Sequence, residues 1–425
     1  MSNNKIGLNI TSETAGLNAV ILHTPGKEVE NMTPANAHKA LYSDILSLGI
    51  AVQEYRQLSG VLSKVADTYE VSDLLKSVLD NPIGKDWLIG EVCNAESAMD
   101  LAKELSDLPS DVLARYLIEG MPLKYSSLTA FLSGEKFALS PLYNFYFTRD
   151  SAVVIGGNAV ICKMANKVRD RESIIMKAIY TYSGLFGCNV IEPGKDARYG
   201  SRVKIEGGDV LVARNDLLII GNGLRTSTEG IDALIAGLST STSLSTFGRD
   251  GSFDVLVQQL PSSPESFIHL DMVFTLLGNG KCMVYKPLIM EPGIYRTIRM
   301  HVENGNVTEI VPEHNLLSAL AKVGMELEPI ICGGTENAWT QDREQWHSGA
   351  NFFAFAPGKV IGYRRNEATI AELAKNGFEP VRAWDILDGV RSLDDMGNCV
   401  VTIEGSELPR GGGGGRCMTQ PVSRA

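Results

Sequence analysis

The amino-acid sequence predicts an α/β protein in which one hairpin-containing unit is repeated around an axis. Three features support this fold class: paired β-branched runs recur with turn residues between them, helix-periodic stretches separate the pairs, and one segment is helical in pattern almost throughout. With 425 residues, 44% of them hydrophobic and 21% charged, the chain has a globular composition and enough surface to bury a core. Large-scale disorder is therefore not expected.

The paired runs predict five β-hairpins with turn residues in the expected places. They lie at residues 17–28, 150–164, 207–222, 271–285 and 351–364. Three of them open on an acid, Asp150, Asp209 or Asp271, and Asn351 takes the corresponding place in the last. Because these starts are about 60, 60 and 80 residues apart, we interpret the hairpins as one repeated unit, although a generic α/β domain would also contain similar hairpins. A ring of such units would bring the opening residues together at one end.

Helices are predicted between the hairpins and in one longer segment. Apolar residues near helical spacing occur at 171–182 and 367–376. Residues 66–140 contain several helix-periodic stretches with Ser or Asp cap candidates and few β runs. We therefore expect a repeated α/β domain formed by residues 1–65 and 141–425, with an inserted helical domain at 66–140.

Charge and composition exclude several classes of protein. The chain has 39 Lys and Arg residues against 50 Asp and Glu, a net charge of −11, whereas nucleic-acid binding needs a basic surface. The first residues lack the basic and apolar regions of a signal peptide, and no apolar run approaches the ~18 residues of a membrane span. Seven scattered cysteines without a CxxC pair fit reduced thiols rather than a disulfide framework or a zinc site. We expect a cytoplasmic protein that binds neither nucleic acid nor membrane.

A run of five glycines, residues 411–415, precedes Arg416 and Cys417. Glycine-rich segments usually form flexible linkers, which is one interpretation of this run. Glycine also lets the backbone approach a ligand closely, and a flexible loop can carry a nucleophile over a closing site. The residues alone leave both interpretations open.

Ionisable side chains cluster at the predicted hairpin starts. His269 and Asp271 are two residues apart on a predicted strand, so their side chains would share a face and could combine a proton-transferring base with a charge-binding acid. A hydrogen-bonded pair at a strand end explains this spacing equally well. Residues 206–209 and 144–150 place further acids, with aromatic residues, at two other hairpin starts.

Several short motifs occur in one order along nearly the whole chain. They are FTRD at 147–150, RDRE at 169–172, EGGD at 206–209, RTS at 225–227, HLD at 269–271, REQW at 343–346 and GGG-x-CMT-x-P ending at Pro421. With these motifs the chain resembles the arginine deiminases of the guanidine-group-modifying superfamily, and the resemblance includes the helical insertion. It implies a five-fold pseudosymmetric α/β propeller, the pentein fold, and hydrolysis of L-arginine to L-citrulline and ammonia without a metal or cofactor.

The resemblance also implies a role for each matching residue. Cys417 corresponds to the nucleophile that attacks the guanidinium carbon, and His269 to the group that protonates the departing amine and then deprotonates water. Asp150 and Asp271 correspond to carboxylates that fix the planar guanidinium. Glu206 corresponds to the partner that orients and protonates His269.

Five further positions are expected to bind the substrate. Arg169 and Arg225 correspond to residues that bind the substrate α-carboxylate, and Asn144 and Phe147 correspond to residues that line the pocket. Asp209 is expected to place a further acid near the substrate, because it stands at the start of a predicted hairpin. Because family members form dimers or tetramers, the resemblance implies a homodimer or homotetramer.

The nucleophilic thiol needs help to ionise. A free cysteine titrates at about 8.5, and two neighbouring carboxylates would raise its pKa. A bound guanidinium supplies the opposite charge, so we expect the substrate to help generate the thiolate.

Three residues depart from the usual pattern of the family. Gly412 replaces an arginine, Arg416 replaces a histidine and Met272 replaces a threonine. The changed loop leaves open a related cysteine hydrolase that acts on another guanidino or ureido compound.

Two alternatives come from other classes of protein. A metallohydrolase could use His269, Asp271, Glu206 and Asp209, but the chain has no second histidine in ligand spacing. A non-catalytic binding protein is the other alternative, and the presence of both Cys417 and His269 argues against it.

Overall fold

The computed structural model describes residues 5–34, 37, 41–42, 44–240, 247–291 and 293–425. These residues form a mixed α/β fold whose sheets are all open and share extensive buried apolar surface with the helices. Within these ranges, no helix combines the length and the apolar character that crossing a membrane requires.

The strands are short, as is usual for a chain built from many small sheets. They are β1 (Leu17–Leu22), β2 (Asp67–Glu70), β3 (Met121–Pro122), β4 (Phe137–Leu139), β5 (Ala152–Ile155), β6 (Asn158–Ile161), β7 (Asn189–Ile191), β8 (Val210–Arg214), β9 (Leu217–Asn222), β10 (Ser252–Gln259), β11 (Phe274–Gly278), β12 (Lys281–Val284), β13 (Thr297–Glu303), β14 (Asn306–Glu313), β15 (Glu328–Ile331), β16 (Phe353–Ala356), β17 (Lys359–Tyr363), β18 (Glu379–Arg382), β19 (Cys399–Ile403) and β20 (Gln420–Arg424).

The α-helices alternate with these strands along most of the chain. They are α1 (Lys27–Glu30), α2 (Leu48–Ser63), α3 (Val71–Leu79), α4 (Pro82–Ala95), α5 (Ala102–Ser106), α6 (Ser110–Glu119), α7 (Leu128–Leu132), α8 (Thr148–Ser151), α9 (Asp170–Tyr182), α10 (Thr228–Ser239), α11 (Lys286–Ile289), α12 (Leu316–Lys322), α13 (Ala338–Trp346), α14 (Glu367–Lys375) and α15 (Ala383–Leu387). Short 3₁₀ turns connect many of them, including Gly207–Asp209, Leu270–Met272 and Leu408–Gly411.

Five sheets in the described ranges share one pattern. Two antiparallel strands are followed by a helix-containing segment and a third strand that pairs in parallel, as a crossover connection requires. The strand sets are β5–β6–β7, β8–β9–β10, β11–β12–β15, β16–β17–β19 and β20–β1–β2. Strands β13 and β14 extend the second of these sheets, and β18 extends the fourth.

The four predicted hairpins that begin at residues 150, 207, 271 and 351 are confirmed. They are the antiparallel pairs β5–β6, β8–β9, β11–β12 and β16–β17, each closed by the turn residues that the sequence places between its apolar runs. The helices predicted at 171–182 and 367–376 are also confirmed, as α9 and α14.

The fifth predicted hairpin, at residues 17–28, is wrong. Its first run is β1, but the residues after the Pro-Gly pair begin helix α1 instead of a second strand. The Glu28 side chain accepts a hydrogen bond from the Gly26 N–H at 2.6 Å and so favours the helical turn. The antiparallel partner of β1 is β20, from the other end of the chain, with Val20 opposite Pro421.

The prediction of a strand at residues 269–271 is also wrong. Leu270–Met272 form a 3₁₀ turn in which the Met272 N–H donates to the His269 carbonyl at 3.2 Å, and β11 begins only at Phe274. His269 and Asp271 therefore reach the same region from a turn, not from one face of a strand.

Residues 71–119 contain the helices α3 to α6, and α3 and α4 pack against α9. Residues 67–70, which the pattern places in the helical insertion, instead form β2 and pair with β1. Their sequence, with Thr68 and Tyr69 at its centre, suits an extended strand. A short ladder of β3 with β4 follows the helices.

Candidate active site

A polar residue lies just before the first strand of each of the five sheets. These residues are Asp150 before β5, Asp209 before β8, Asp271 before β11, Asn351 before β16 and Cys417 before β20. All five are buried. Three of them lie near Cys417 or His269: Asn351 and Asp271 contact the Cys417 sulfur, and Asp150 Oδ1 lies 3.7 Å from His269 Nδ1.

A pocket of about 30 Å³ lies beside Cys417 and His269, with room for about one water molecule. Its walls are formed by Leu41, Asn144, Phe147, Asp150, Arg169, Arg225, Ile268, His269, Gly411, Gly412, Gly413 and Cys417. An outer cavity of about 1150 Å³ shares Arg225, Ile268 and Gly412 with it. Seven of the ten residues predicted from the sequence line the inner pocket, and Glu206, Asp209 and Asp271 lie behind its walls.

The Cys417 sulfur faces hydrogen-bonding groups of two other side chains. Asn351 Nδ2 donates to Sγ at 3.2 Å, and Sγ lies 3.7 Å from Asp271 Oδ2 and 3.9 Å from Asp271 Oδ1. Burial raises the pKa of the Cys417 thiol well above its ordinary value, and the carboxylates of Asp271 and Asp150 raise it further. The thiol is therefore protonated near neutral pH unless a cation is added beside it.

His269 is held between two carboxylates. Its Nε2 donates to Glu206 Oε2 at 2.9 Å, and its Nδ1 lies 3.7 Å from Asp150 Oδ1. Burial alone would lower the pKa of His269, but Asp150, Glu206 and Asp209 raise it to about 9. The imidazole is therefore a cation near neutral pH and can donate a proton in the pocket.

Glu206 remains ionised although it is fully buried. Burial would raise its pKa, but Arg225 and His269 lower the pKa of Glu206 to about 2. Arg225 Nη1 donates to Glu206 Oε2 at 3.4 Å, so this carboxylate links the imidazole to the wall shared with the outer cavity.

Two protein guanidiniums already occupy one oxygen of each carboxylate predicted to bind the substrate. Arg169 Nη1 donates to Asp150 Oδ2 at 2.7 Å, and Arg416 Nη1 donates to Asp271 Oδ2 at 2.9 Å. In the described part of the chain, Asp150 Oδ1 accepts no hydrogen bond, and Asp271 Oδ1 faces the Cys417 thiol. Among the described residues, Asp150 therefore lines the inner pocket with an oxygen that accepts no hydrogen bond, and the Asp271 carboxylate lies beside the Cys417 sulfur.

Arg169 is anchored from behind by a third carboxylate. Its Nε and Nη2 donate to Glu172 at 2.7–3.1 Å, and Nη2 also donates to the Asn144 carbonyl at 3.3 Å. Burial would lower the pKa of Arg169, but Glu172 and Asp150 raise it, so the guanidinium keeps its charge.

These features can be compared with known proteins. The family model described as "Arginine deiminase" matches residues 38–424. A relative named arginine deiminase from Borrelia garinii subsp. bavariensis is 32% identical over 438 residues, which cover 98% of each chain. The relative of that name from Limosilactobacillus reuteri is 32% identical, again over 98% of each chain. The chain belongs to the arginine deiminase family.

Solved structures with the same fold are more distant. The N-terminal domain of ArgZ, an arginine dihydrolase from cyanobacteria in complex with its product, is 16% identical with a TM-score of 0.52, and the match covers 96% of this chain and 97% of that one. SxtG, an amidinotransferase from Microseira wollei, is 15% identical with a TM-score of 0.53, covering 98% and 97%. At these identities the likeness concerns the fold alone.

The glycine loop of this deiminase-family chain is closely packed, so the linker interpretation is wrong. A Cβ on Gly411 would lie 2.0 Å from the Tyr146 hydroxyl, and one on Gly413 would lie 2.4 Å from the Phe147 ring. A Cβ on Gly414 would meet Asn351 at 2.7 Å. These glycines let the backbone approach the pocket walls, as the second interpretation expects.

Gly412, where the family usually has arginine, differs from its neighbours. Its φ of +84° favours glycine, yet a Cβ there would have nothing within 4 Å. The position therefore borders open space, where the pocket meets the outer cavity.

Arg416, the second departure from the family pattern, is a buried cation beneath the pocket. Besides Asp271, its guanidinium binds both oxygens of Glu13 at 3.0 Å and the Val210 carbonyl at 2.8 Å. Burial would raise the pKa of Glu13, but Arg416 and Arg149 lower it to about 2. Nothing in the sequence near Glu13 indicated this contact, because the two residues are 403 positions apart.

Asp209 does not line either cavity. Its Oδ1 accepts the Leu270 N–H at 2.8 Å and so fixes the turn that carries His269 and Asp271. Burial raises the pKa of Asp209 to about 7. Its position is that of a supporting residue for the turn, behind the imidazole.

Asp150, Glu206 and His269 could in principle hold a metal ion, because one ligand atom of each lies within 4.8 Å of the others. Two of these groups, however, already accept hydrogen bonds from the guanidiniums of Arg169 and Arg225. These cations offset the negative charge that a divalent ion would need, so the residues suit an imidazolium and a guanidinium better than a metal.

Proposed function

We propose that the chain hydrolyses L-arginine to L-citrulline and ammonia through a covalent intermediate on Cys417. The observation that carries this proposal is the Cys417 thiol beside the Asp271 carboxylate, in a pocket that Asp150 and the cationic His269 also line. Among the described residues, Asp150 Oδ1 accepts no hydrogen bond. The family membership of the chain supports the same reaction.

Substrate binding places a further cation directly next to the Cys417 sulfur. The guanidinium N–H groups donate to Asp150 Oδ1 and Asp271 Oδ1, and each such charge-assisted bond contributes about 1.5–3 kcal/mol. The positive charge placed next to sulfur lowers the pKa of the Cys417 thiol, which releases its proton. The inner pocket shares part of its wall, including Gly412, with the outer cavity of about 1150 Å³, so the substrate can reach Cys417 from that side.

The first half of the reaction exchanges a C–N bond for a C–S bond. The thiolate attacks the guanidinium carbon, and the imidazolium of His269 gives its proton to one terminal nitrogen of the adduct. Ammonia leaves, and a cationic S-alkylthiouronium remains on Cys417. Glu206, at 2.9 Å from Nε2, stabilises the imidazolium before transfer.

The second half exchanges the C–S bond for a C–O bond. Neutral His269 takes a proton from water as the oxygen adds to the thiouronium carbon. The adduct expels the Cys417 thiolate and forms the citrulline carbonyl. The proton of the new hydroxyl returns to the Cys417 thiolate, and the proton that the thiol released on substrate binding converts ammonia to ammonium. Arginine cation and water thus give citrulline and ammonium.

The substrate's α-amino and α-carboxylate groups extend towards the outer cavity. Arg225 stands at the boundary of the two cavities and is our candidate for the carboxylate partner. Arg169 would join it by exchanging its bond to Asp150 for the substrate, while Glu172 holds its other side. Asn144 and Phe147 line the inner pocket beside Arg169 and Arg225.

Three further properties are proposed: the arrangement of the five sheets, the cellular location and the oligomeric state. We propose that the five similar sheets form the five units of a pentein propeller. Residues 1–65 and 141–425 together with strand β2 would carry these units, and the rest of residues 66–140 would be inserted. Seven free cysteines fit a reducing, cytoplasmic setting. A homodimer or homotetramer is expected, and light scattering of the purified chain would test it.

A related cysteine hydrolase that acts on another guanidino or ureido compound is the second candidate. The contact between Arg416 and Asp271 favours it, because a protein cation already uses half of one substrate-binding carboxylate.

Citrulline and ammonia release from L-arginine, measured with EDTA present, tests the proposal. The wild-type chain is expected to release equal amounts of both, and Cys417→Ala neither. Cys188→Ala, a change at a half-buried cysteine away from the pocket, is the control and should behave as wild type. If folded wild-type protein does not turn over arginine, the second candidate is tested with other guanidino and ureido compounds. Loss of activity in EDTA would instead favour the metallohydrolase.

A further inference from the structure

The side-chain amide of Asn351 contacts the reacting sulfur. Its Nδ2 donates to Cys417 Sγ at 3.2 Å and to the Asp271 carbonyl at 3.1 Å. Its Oδ1 accepts the backbone N–H groups of Arg416 at 2.9 Å and of Cys417 at 3.3 Å. The residue is 1% exposed.

These partners fix which end of the amide faces the sulfur. Two backbone N–H groups can only donate, so the atom they meet must be the amide oxygen. The nitrogen is thereby turned towards Cys417. An amide N–H cannot accept a proton, so this neighbour favours a sulfur that accepts a hydrogen bond, and a thiolate accepts far better than a thiol.

The position of Asn351 in the fold makes the amide distinctive. The same place before a first strand holds a carboxylate in three other units, at Asp150, Asp209 and Asp271. A fourth carboxylate at this place would lie against the sulfur and would disfavour its negative charge. Asparagine keeps the shape and an acceptor for the backbone, and replaces the charge by a donor.

We infer that Asn351 is a catalytic residue of this site: its Nδ2–H stabilises the Cys417 thiolate during attack, while its Oδ1 holds the backbone of the nucleophile. This inference rests on the proposed deiminase reaction for its effect on turnover. Its effect on the thiol itself does not depend on which substrate is used.

The alternative is that Asn351 only holds the glycine loop in place and does not stabilise the thiolate. Gly414 packs directly against Asn351, so any change of this side chain can disturb the backbone beside the nucleophile. Asn351→Asp keeps an oxygen that accepts the two backbone N–H groups, but it removes the donor to sulfur and adds a negative charge beside it. Asn351→Ala removes the acceptor and the donor without adding a charge, so a higher alkylation midpoint in this variant reports the loss of the donor.

The experiment measures alkylation of Cys417 by iodoacetamide from pH 6 to 11, followed by peptide mass spectrometry, together with kcat and KM for L-arginine. In Asn351→Asp and Asn351→Ala the alkylation midpoint should move to higher pH, and kcat should fall roughly 10- to 100-fold, the range of one charge-assisted hydrogen bond. In Asn351→Ala, raising the pH should recover part of the lost kcat. KM should change only a few-fold, because the amide does not bind the substrate.

Asn158→Asp is the matched control, since Asn158 is also a fully buried asparagine but lies in the β5–β6 hairpin. It should lower the melting temperature without moving the alkylation midpoint. If kcat falls in Asn351→Ala while the midpoint stays at the wild-type pH, the residue only holds the loop and the inference is overturned. Wild-type protein without arginine turnover but with a shifted midpoint in Asn351→Ala would contradict the proposed function alone.

Discussion

Replacing Arg416 by glutamine is expected to destabilise the folded protein by about 3–5 kcal/mol. The Arg416 guanidinium is 1% exposed and binds two buried carboxylates, Glu13 at 3.0 Å through two nitrogens and Asp271 at 2.9 Å through the third. Removing one partner of a buried ion pair typically costs about 3–5 kcal/mol, because the remaining charge is left uncompensated.

The pKa of Glu13 gives a second estimate, which covers the combined effect of Arg416, Arg149 and Arg424 on this buried carboxylate. It falls from an ordinary 4.5 to about 2 in the folded chain, and this difference at about 1.36 kcal/mol for each pH unit amounts to about 3 kcal/mol. Because the folded pKa is the lower one, this stabilisation is fully present above pH 4.5 and is lost as the pH falls through about 2. Both estimates therefore predict a large loss at pH 7.

Urea unfolding at pH 7, followed by circular dichroism, provides the assay. Wild type, Arg416→Gln, Glu13→Gln and the double variant form a double-mutant cycle, which isolates the interaction between the two side chains. Each single variant should be strongly destabilised, and the second change should cost much less in the presence of the first. Arg410→Gln is the matched control, because Arg410 is exposed and its ion pair with Asp44 lies at the surface, where about 0–1 kcal/mol is expected.

Two outcomes would refute the reasoning. Arg416→Gln within about 1 kcal/mol of wild type would mean that the buried carboxylates find other partners or are protonated at pH 7. A cycle with additive single effects would mean that Glu13 and Arg416 do not interact in solution at the distance seen in the structure.

Three further predictions concern the pocket. Glu206→Gln removes the anion beside His269, so the pKa of His269 should fall from about 9 towards 6.5. The alkaline limb of a kcat–pH profile should then move to lower pH. An unmoved limb would contradict the assigned ion pair. Gly413→Ala should lower kcat more than tenfold, because its Cβ would lie 2.4 Å from Phe147. Gly412→Ala, whose only cost is its φ of +84°, should lower the melting temperature slightly and keep kcat within a few-fold. Equal kcat values in the two variants would show that loop packing does not shape the pocket. Iodoacetamide should modify Cys417 slowly at pH 7, and the midpoint of the alkylation–pH profile should lie above that of an ordinary cysteine. A midpoint at or below about 8.5 would mean that burial and the neighbouring carboxylates do not control the pKa of this thiol.

The hairpins were predictable because their determinants are local. Gly-Asn-Gly and Pro-Gly turns between apolar runs decide antiparallel pairing within about fifteen residues. The failure at residues 17–28 has the opposite cause. Strand β1 is a genuine strand, but its antiparallel partner β20 comes from the other end of the chain, and no local pattern encodes such a pairing.

The candidate site also combines residues that lie in local motifs with contacts between distant segments. The residues proposed as nucleophile, base and acids lie in motifs that each span only a few positions, and the structure brings them together. The contacts that tune them could not be predicted from the sequence, because they join distant segments: Asn351 reaches Cys417 across 66 positions, and Glu13 reaches Arg416 across 403. The only signal for Asn351 was its place at the start of a hairpin, where the other units carry an acid.

The charges around the sulfur explain why a cationic substrate belongs in this pocket. Asp150 and Asp271 each accept a hydrogen bond from a protein guanidinium; Asp150 lines the pocket, and Asp271 lies beside the sulfur. Within the free site, the sulfur must stay neutral because burial and these carboxylates oppose its ionisation. A bound guanidinium would offset the negative charge of both carboxylates next to the sulfur. The arrangement therefore withholds the thiolate until the substrate is in place, and a neutral ureido product, which carries no such charge, is held less tightly than the reactant.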